Sequence, residues 1–197
     1  MTGALVYVMG PSGAGKDSVL ARARALLPDE APIVFAHRYI TRPADSGGEN
    51  HIALSPAEFA ARRAHGLFAY HWQAHGNDYG VGREIHDWRQ AGMAVVVSGS
   101  RDHFQKTGGL ELQAQPVLIT ASAQRLQERL AGRGRETVTQ AVARLDRARA
   151  YAIDDPRLVT IVNDGALDEA VRRFVDLLAV LMPPARPACS GGVHLPT

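Results

Sequence analysis

Apolar runs alternate with amphipathic stretches along the chain, and the first of them, Leu5-Val-Tyr-Val-Met9, holds no charged residue before Gly10-Pro11 ends it. A run of this kind predicts a short strand covered on both faces. Asp17 to Leu27 has helical composition and stops before Pro28, and Ile33-Val-Phe35 predicts a second strand. From His37 to His51 the pattern breaks into polar, Gly and Pro residues, which predicts a working loop. Ser55-Pro-Ala-Glu58 combines a Ser cap, Pro at the first helical position and Glu closing a capping box, so a helix should run to about His65. Leu67 to Tyr79 is aromatic-rich and ends in turn signals, predicting short strands with loops. Ala94–Val97 and Pro116–Thr120 predict buried strands, and Ser122 to Leu130 a helix. Thr137-Val-Thr-Gln140 is a second capping box, opening a helix to about Ile153. Leu158–Val162 and Leu167–Leu181 complete the series as a strand and an amphipathic helix.

Strands separated by helices predict an α/β fold: a parallel sheet with helices on both faces. A chain of 197 residues is long enough for one compact domain, expected over residues 1–182. The segment 37–82 is too long for a simple crossover and predicts a small lobe. The Pro- and Gly-rich tail 183–197 is expected to be disordered.

The chemistry begins where the first strand meets the first helix. Gly10-Pro11-Ser12-Gly13-Ala14-Gly15-Lys16 has the spacing of a phosphate-binding loop. Its glycines let backbone N–H groups turn inward around phosphate oxygens, Lys16 reaches the β- and γ-phosphates, and the helix presents its positive end. Gly10 to Ser18 are therefore the candidate ATP-binding residues. The pattern expects a hydroxyl residue after the lysine to bind Mg²⁺, but here Asp17 precedes Ser18. Asp17 either helps to hold Mg²⁺, which prefers hard oxygen ligands, or stabilises the helix N-terminus. The strand Ala94–Val97 is followed by Ser98-Gly-Ser-Arg101, with no carboxylate before Asp102.

Charge changes the picture in one respect. The formal net charge of +2 is too small to imply nucleic-acid binding, but Lys16 and Lys106 are the only lysines, so the cations are overwhelmingly arginines. Arg129, Arg133 and Arg144, with Arg135 and Arg147 nearby, fall between and within two expected helices. They predict a lid over about 129–147 whose guanidinium groups neutralise a transferring phosphoryl group; a solvated charged face is the alternative. Cys189 is the single cysteine, no stretch approaches the ~20 apolar residues of a membrane span, and no leader pattern opens the chain. These features suit a cytoplasmic protein, with a homodimer as one possible state.

The order of Gly10–Lys16, Thr41-Arg42-Pro43, His75-Gly-Asn-Asp-Tyr-Gly80, Arg129-Leu-Ala-Gly-Arg-Gly134 and Val162-Asn-Asp164 resembles guanylate kinases over most of residues 4–180. The resemblance implies a P-loop core with a lid and an acceptor lobe. Arg42 and Tyr79 match phosphate-side residues of that family, and Asn163 and Asp164 match a segment bordering adenine; otherwise they end a strand and cap the last helix. The guanine-reading glutamate and serine fall at Tyr70 and Val81, which should abolish a preference for that base. Gly-Lys-Asp-Ser in the loop, His37-Arg-Tyr-Ile-Thr-Arg-Pro43, Gly48-Glu-Asn-His51 and His75 to Val81 are together similar to the ribose 1,5-bisphosphate phosphokinases of phosphonate breakdown. That similarity implies ATP with Mg²⁺ as phosphoryl donor, ribose 1,5-bisphosphate as acceptor, and Arg38, Arg42, His51 and Tyr79 as acceptor-binding residues. A nucleoside monophosphate kinase, or a non-catalytic module of the same fold, are the rival expectations.

Overall fold

A computed structural model describes residues 2–46, 49, 51–107, 113–131 and 153–182. The expected lid positions Arg133, Arg135, Arg144 and Arg147, most of the expected helix 137–153 and the tail 183–197 lie outside the described residues.

The core is a five-stranded sheet of β1 (Leu5–Met9), β2 (Ile33–Phe35), β7 (Ala94–Ser98), β8 (Ala114–Thr120) and β9 (Val159–Val162). Its order is β2-β7-β1-β8-β9, and every pair is parallel. The unbroken apolar runs of β1 and β7 follow from this placement, because both faces of the central strands are covered. Val6 and Val8 pack beneath α1 (Lys16–Leu26) and α6 (Leu167–Leu181), against Val19, Ala23, Phe174 and Leu178. Leu5, Tyr7 and Met9 face the other way, against Ile85 of α3 (Glu84–Gln90) and Phe104 of α4 (Arg101–Lys106). Pro116 is tolerated inside β8 because pairing with β9 begins only at Val117.

A second sheet of order β4-β3-β6-β5 is built from β3 (Arg38–Ile40), β4 (Ile52–Ala53), β5 (Phe68–Ala74) and β6 (Asn77–Gly82). β5 and β6 form a hairpin whose two turn residues, His75 and Gly76, both have positive φ (51° and 75°), the geometry that continues strand twist most readily. The sheet has its own small core, in which the Phe68 ring lies against Phe59 of α2 (Pro56–Ala64), with centroids 4.6 Å apart, and crowds Gly80. Ser55 caps α2 as expected, its Oγ accepting from the Glu58 N–H at 3.1 Å, while the Glu58 carboxylate accepts from Arg62.

The structure differs from expectation in three places. The loop expected over 37–51 contains β3 and a 3₁₀ turn at Ala44–Ser46; three residues are too few to give a readable alternation. The short helices α3 and α4 lack the length over which a helical period becomes visible. Asp164 does not cap α6, whose N-cap is Ala166. Its Oδ1 accepts from the Ser122 N–H at 2.6 Å, tying the end of β9 to the start of α5 (Ala123–Ala131).

Candidate active site

The loop from Gly10 to Gly15 joins β1 to α1, as its sequence requires. Gly13 and Gly15 have φ of 88° and 83°, conformations that an L side chain resists. No side chain caps α1 at Gly15, so the first N–H groups of an 11-residue helix remain open at the loop. Open helix donors beside left-handed glycines form a concavity suited to an anion.

Lys16 donates to Ser98 Oγ and to Asp17 Oδ1, each at 2.6 Å. Ser98, at the end of β7, thus steers the ammonium from the strand where a carboxylate is usual; the sequence assigned it no role. Burial, and next the Arg38 guanidinium, push the Lys16 ammonium down from its ordinary value, against the pull of Asp17 and Glu49. Burial acts to raise the Asp17 carboxyl, but Lys16, Arg38 and Arg42 together hold it below the usual carboxylate value. Asp17 is therefore a carboxylate at neutral pH, 46 % exposed and with one oxygen committed to Lys16.

Behind the loop, Asn163 is 3 % exposed, and its Nδ2 donates to the Ala14 carbonyl at 2.8 Å. Its Oδ1 is buried without a partner among the described residues. Arg129 donates to the Asn163 carbonyl at 2.9 Å and more weakly to those of Gly13 and Ala14, at 3.5 and 3.4 Å. Both residues hold backbone carbonyls of the loop and of its neighbour Asn163.

The second sheet brings its own cations to the same place. Arg38 grips the Glu49 carboxylate through Nε and Nη2, and its guanidinium carbon lies 5.2 Å from the Tyr79 ring centroid. Arg42 Nη2 is 3.7 Å from the same carboxylate and 3.4 Å from His51 Nδ1. His51 is buried, with Nε2 3.2 Å from the Arg42 carbonyl. Arg38, Arg42 and His51 thus meet around Glu49, a carboxylate to which the sequence assigned no role, with Tyr79 against Arg38. Tyr79 is stacked on Trp72, their rings 5.6 Å apart and nearly parallel. Tyr70 and Val81 are register partners across the hairpin; Val81 is fully buried in the apolar cluster around Tyr7, and Tyr70 packs against it.

A parallel sheet with a glycine loop at its central strand, a lysine held over that loop and an appended lobe of arginines defines a P-loop phosphotransferase. The chain belongs to the guanylate kinase family, whose model matches residues 2–180. A guanylate kinase from Anaplasma phagocytophilum has a similar fold, with a TM-score of 0.65 at 21 % identity, covering 95 % of this chain and 91 % of that one. Much nearer in sequence are proteins named ribose 1,5-bisphosphate phosphokinase PhnN. That of Desulfomicrobium baculatum is 51 % identical over 174 residues, covering 88 % of this chain and 93 % of the relative. Those of Thiobacillus denitrificans and Burkholderia pseudomallei are 46 % and 53 % identical, covering 90 % and 88 % of this chain and 93 % and 94 % of theirs.

Proposed function

We propose that this chain transfers the γ-phosphoryl group of ATP, with Mg²⁺, to the 1-phosphate of ribose 1,5-bisphosphate, forming 5-phospho-α-D-ribose 1-diphosphate and ADP. The observation that carries the acceptor assignment is the character of the second sheet. It brings Arg38, Arg42 and His51 together around Glu49, while Tyr70 and Val81 belong to an apolar cluster. A site that reads a base needs polar groups at the base edge; a site for a phosphorylated sugar needs the cations. The names of relatives sharing about half of their residues with this chain support the same acceptor.

In this reading an oxygen of the acceptor's 1-phosphate attacks the γ-phosphorus, and the bond to the ADP oxygen breaks with its electron pair leaving on ADP. The attacking phosphate is already ionised near neutral pH, so no general base is needed. The chain's work is alignment and charge neutralisation. The open N–H groups of the loop and α1 hold the donor's phosphates, and Lys16, steered by Ser98 and Asp17, meets the charge developing between donor and acceptor. Arg129 and Asn163 keep the loop in its binding shape, while Arg42, His51 and Tyr79 hold the acceptor. Arg133 and Arg144 add to the same charge neutralisation.

Asp17 fits a role towards Mg²⁺: it is ionised, partly exposed and one residue from the phosphate-binding lysine. A Mg²⁺ ion takes one or two protein carboxylates and completes its shell with phosphate oxygens and water, so no protein cage is required. When bound, it neutralises charge on the β- and γ-oxygens.

Guanylate kinase activity is the second reading, favoured by the family match itself. Incubation with ATP, Mg²⁺ and either ribose 1,5-bisphosphate or GMP, followed by ³¹P NMR, separates the two. A new diphosphate signal with the sugar alone is expected; signal with GMP alone would overturn the assignment.

A further inference from the structure

The cations of the second sheet converge on one side chain. Glu49 accepts from Arg38 Nε at 2.5 Å and also from its Nη2, lies 3.7 Å from Arg42 Nη2, and has its carbonyl 3.1 Å from His51 Nδ1. The side chains of Arg38 and Glu49 are 10 % and 13 % exposed. Water therefore does little to support either charge, and each depends on the other. A two-point contact between a guanidinium fork and a carboxylate also fixes orientation, which a point charge would not.

The two arginines are in different states. Arg38 is held on one side by Glu49 and on another by the Tyr79 ring, which is itself backed by Trp72. Arg42 is left incomplete: its Nε is buried and has no partner among the described residues. A buried N–H that no protein group satisfies is costly to leave unmade, and it favours an incoming anion. Arg38 still contributes to the field at the transfer site, since its charge acts on both Lys16 and Asp17.

We infer that Glu49 is a positioning residue for the acceptor half of the site: it locks Arg38 as a fixed buttress, and so sets Arg42 beside it as the group that grips the acceptor's phosphate. The inference rests on the reading that the acceptor carries a phosphate, and holds whether that acceptor is a sugar or a nucleotide. It also divides labour between two arginines that the sequence treats alike.

The test uses the full chain and two substitutions, Glu49→Gln and Glu49→Asp, with ADP release followed as either substrate is varied. Ribose 1,5-bisphosphate and GMP are supplied in parallel. Glu49→Gln should raise the KM of the acceptor by at least about tenfold, because a charge-assisted contact is lost, and leave the KM of ATP within about twofold. Glu49→Asp, which keeps the charge but shortens the reach, should recover part of the acceptor KM. An acceptor KM that stays the same would overturn the inference. So would one that falls, because the carboxylate would then be competing with the acceptor for the Arg38 fork. Acceptor and ATP KM rising together would mean general loosening and would also overturn it. Should Glu49→Gln fail to fold, as its melting curve would reveal, Glu49→Asp is judged by the same split between the two KM values. Turnover of GMP alone would sink the sugar assignment, and Glu49 would then be judged on the KM of GMP. If neither acceptor is turned over, calorimetric affinity for ribose 1,5-bisphosphate decides: at least about tenfold weaker binding in Glu49→Gln upholds the role, and equal binding removes it.

Discussion

Lys16, Asp17, Arg38, Arg42 and Glu49 act as one set of charges, three positive and two negative, and no member is understood alone. Burial weakens the hold of Lys16 on its proton, while the same lysine keeps Asp17 ionised. Asp17 steers the ammonium at 2.6 Å, and its side chain is 46 % exposed. Asp17→Asn should raise the Mg²⁺ concentration needed for half-maximal rate by on the order of tenfold, the usual range for losing a group that orders a metal site. A Mg²⁺ titration of ADP release that superimposes on that of the unaltered protein would remove Asp17 from the metal. Asp17 was legible as an oddity of the motif because it is adjacent to Lys16. Ser98, Glu49 and the brace from Asn163 were not, since Ser98 and Asn163 meet the loop across 82 and 149 residues.

Among elements, the glycine loop depends on its neighbours as much as on its own spacing. At Gly15, φ is 83°, and a Cβ would stand 2.5 Å from Asn163 Nδ2, the donor that holds the Ala14 carbonyl. Gly15→Ala therefore meets two penalties, a left-handed backbone that a side chain resists and a displaced brace. It should destabilise the protein by about 2 kcal/mol and weaken ATP binding at least tenfold, roughly the cost of a distorted anion cradle. Thermal melting and calorimetry of ATP binding read the two effects, and a variant normal in both would contradict this account of the loop. Longer elements were readable from pattern: β1, β7, α1, α2 and α6 stand within a residue or two of their expected positions. The three-residue β3 and the short α3 and α4 were not, because each depends on pairing or packing partners more than on a period of its own.

Across the whole molecule, the two sheets are joined by rings. The Tyr7 hydroxyl of β1 lies 2.9 Å from His103 Nδ1 of α4, and His103 packs 5.2 Å from Trp72 and 5.8 Å from Tyr70 of β5. Trp72 in turn backs Tyr79, beside Arg38. Burial, and then the neighbouring His71, push His103 below the ordinary histidine value of 6.5, against Asp102. Just below 6.5 the unfolded chain holds a proton that the native protein refuses. Native stability is thus intact above the ordinary value and falls as the pH drops below it. The melting temperature should fall as the pH drops below about 6.5, and His103→Gln should flatten that fall. Equal slopes for the two proteins would show that His103 does not link the sheets in this way.

Contiguous residues encode the local part of this protein. The phosphate loop lies between strand and helix because glycine spacing, an apolar run and a helical stretch are all local. The resemblance to guanylate kinases also set Tyr70 and Val81 at the positions that read guanine in that family. The packing of the two sheets chose which charges meet. It put Ser98 on Lys16, set Glu49 between Arg38 and Arg42, and tied Asn163 to the Ala14 carbonyl and Arg129 to the Asn163 carbonyl. The reason is physical: an ion pair or a buried amide has no periodicity, and its partner is chosen by how the strands are ordered and how the second sheet packs against the first.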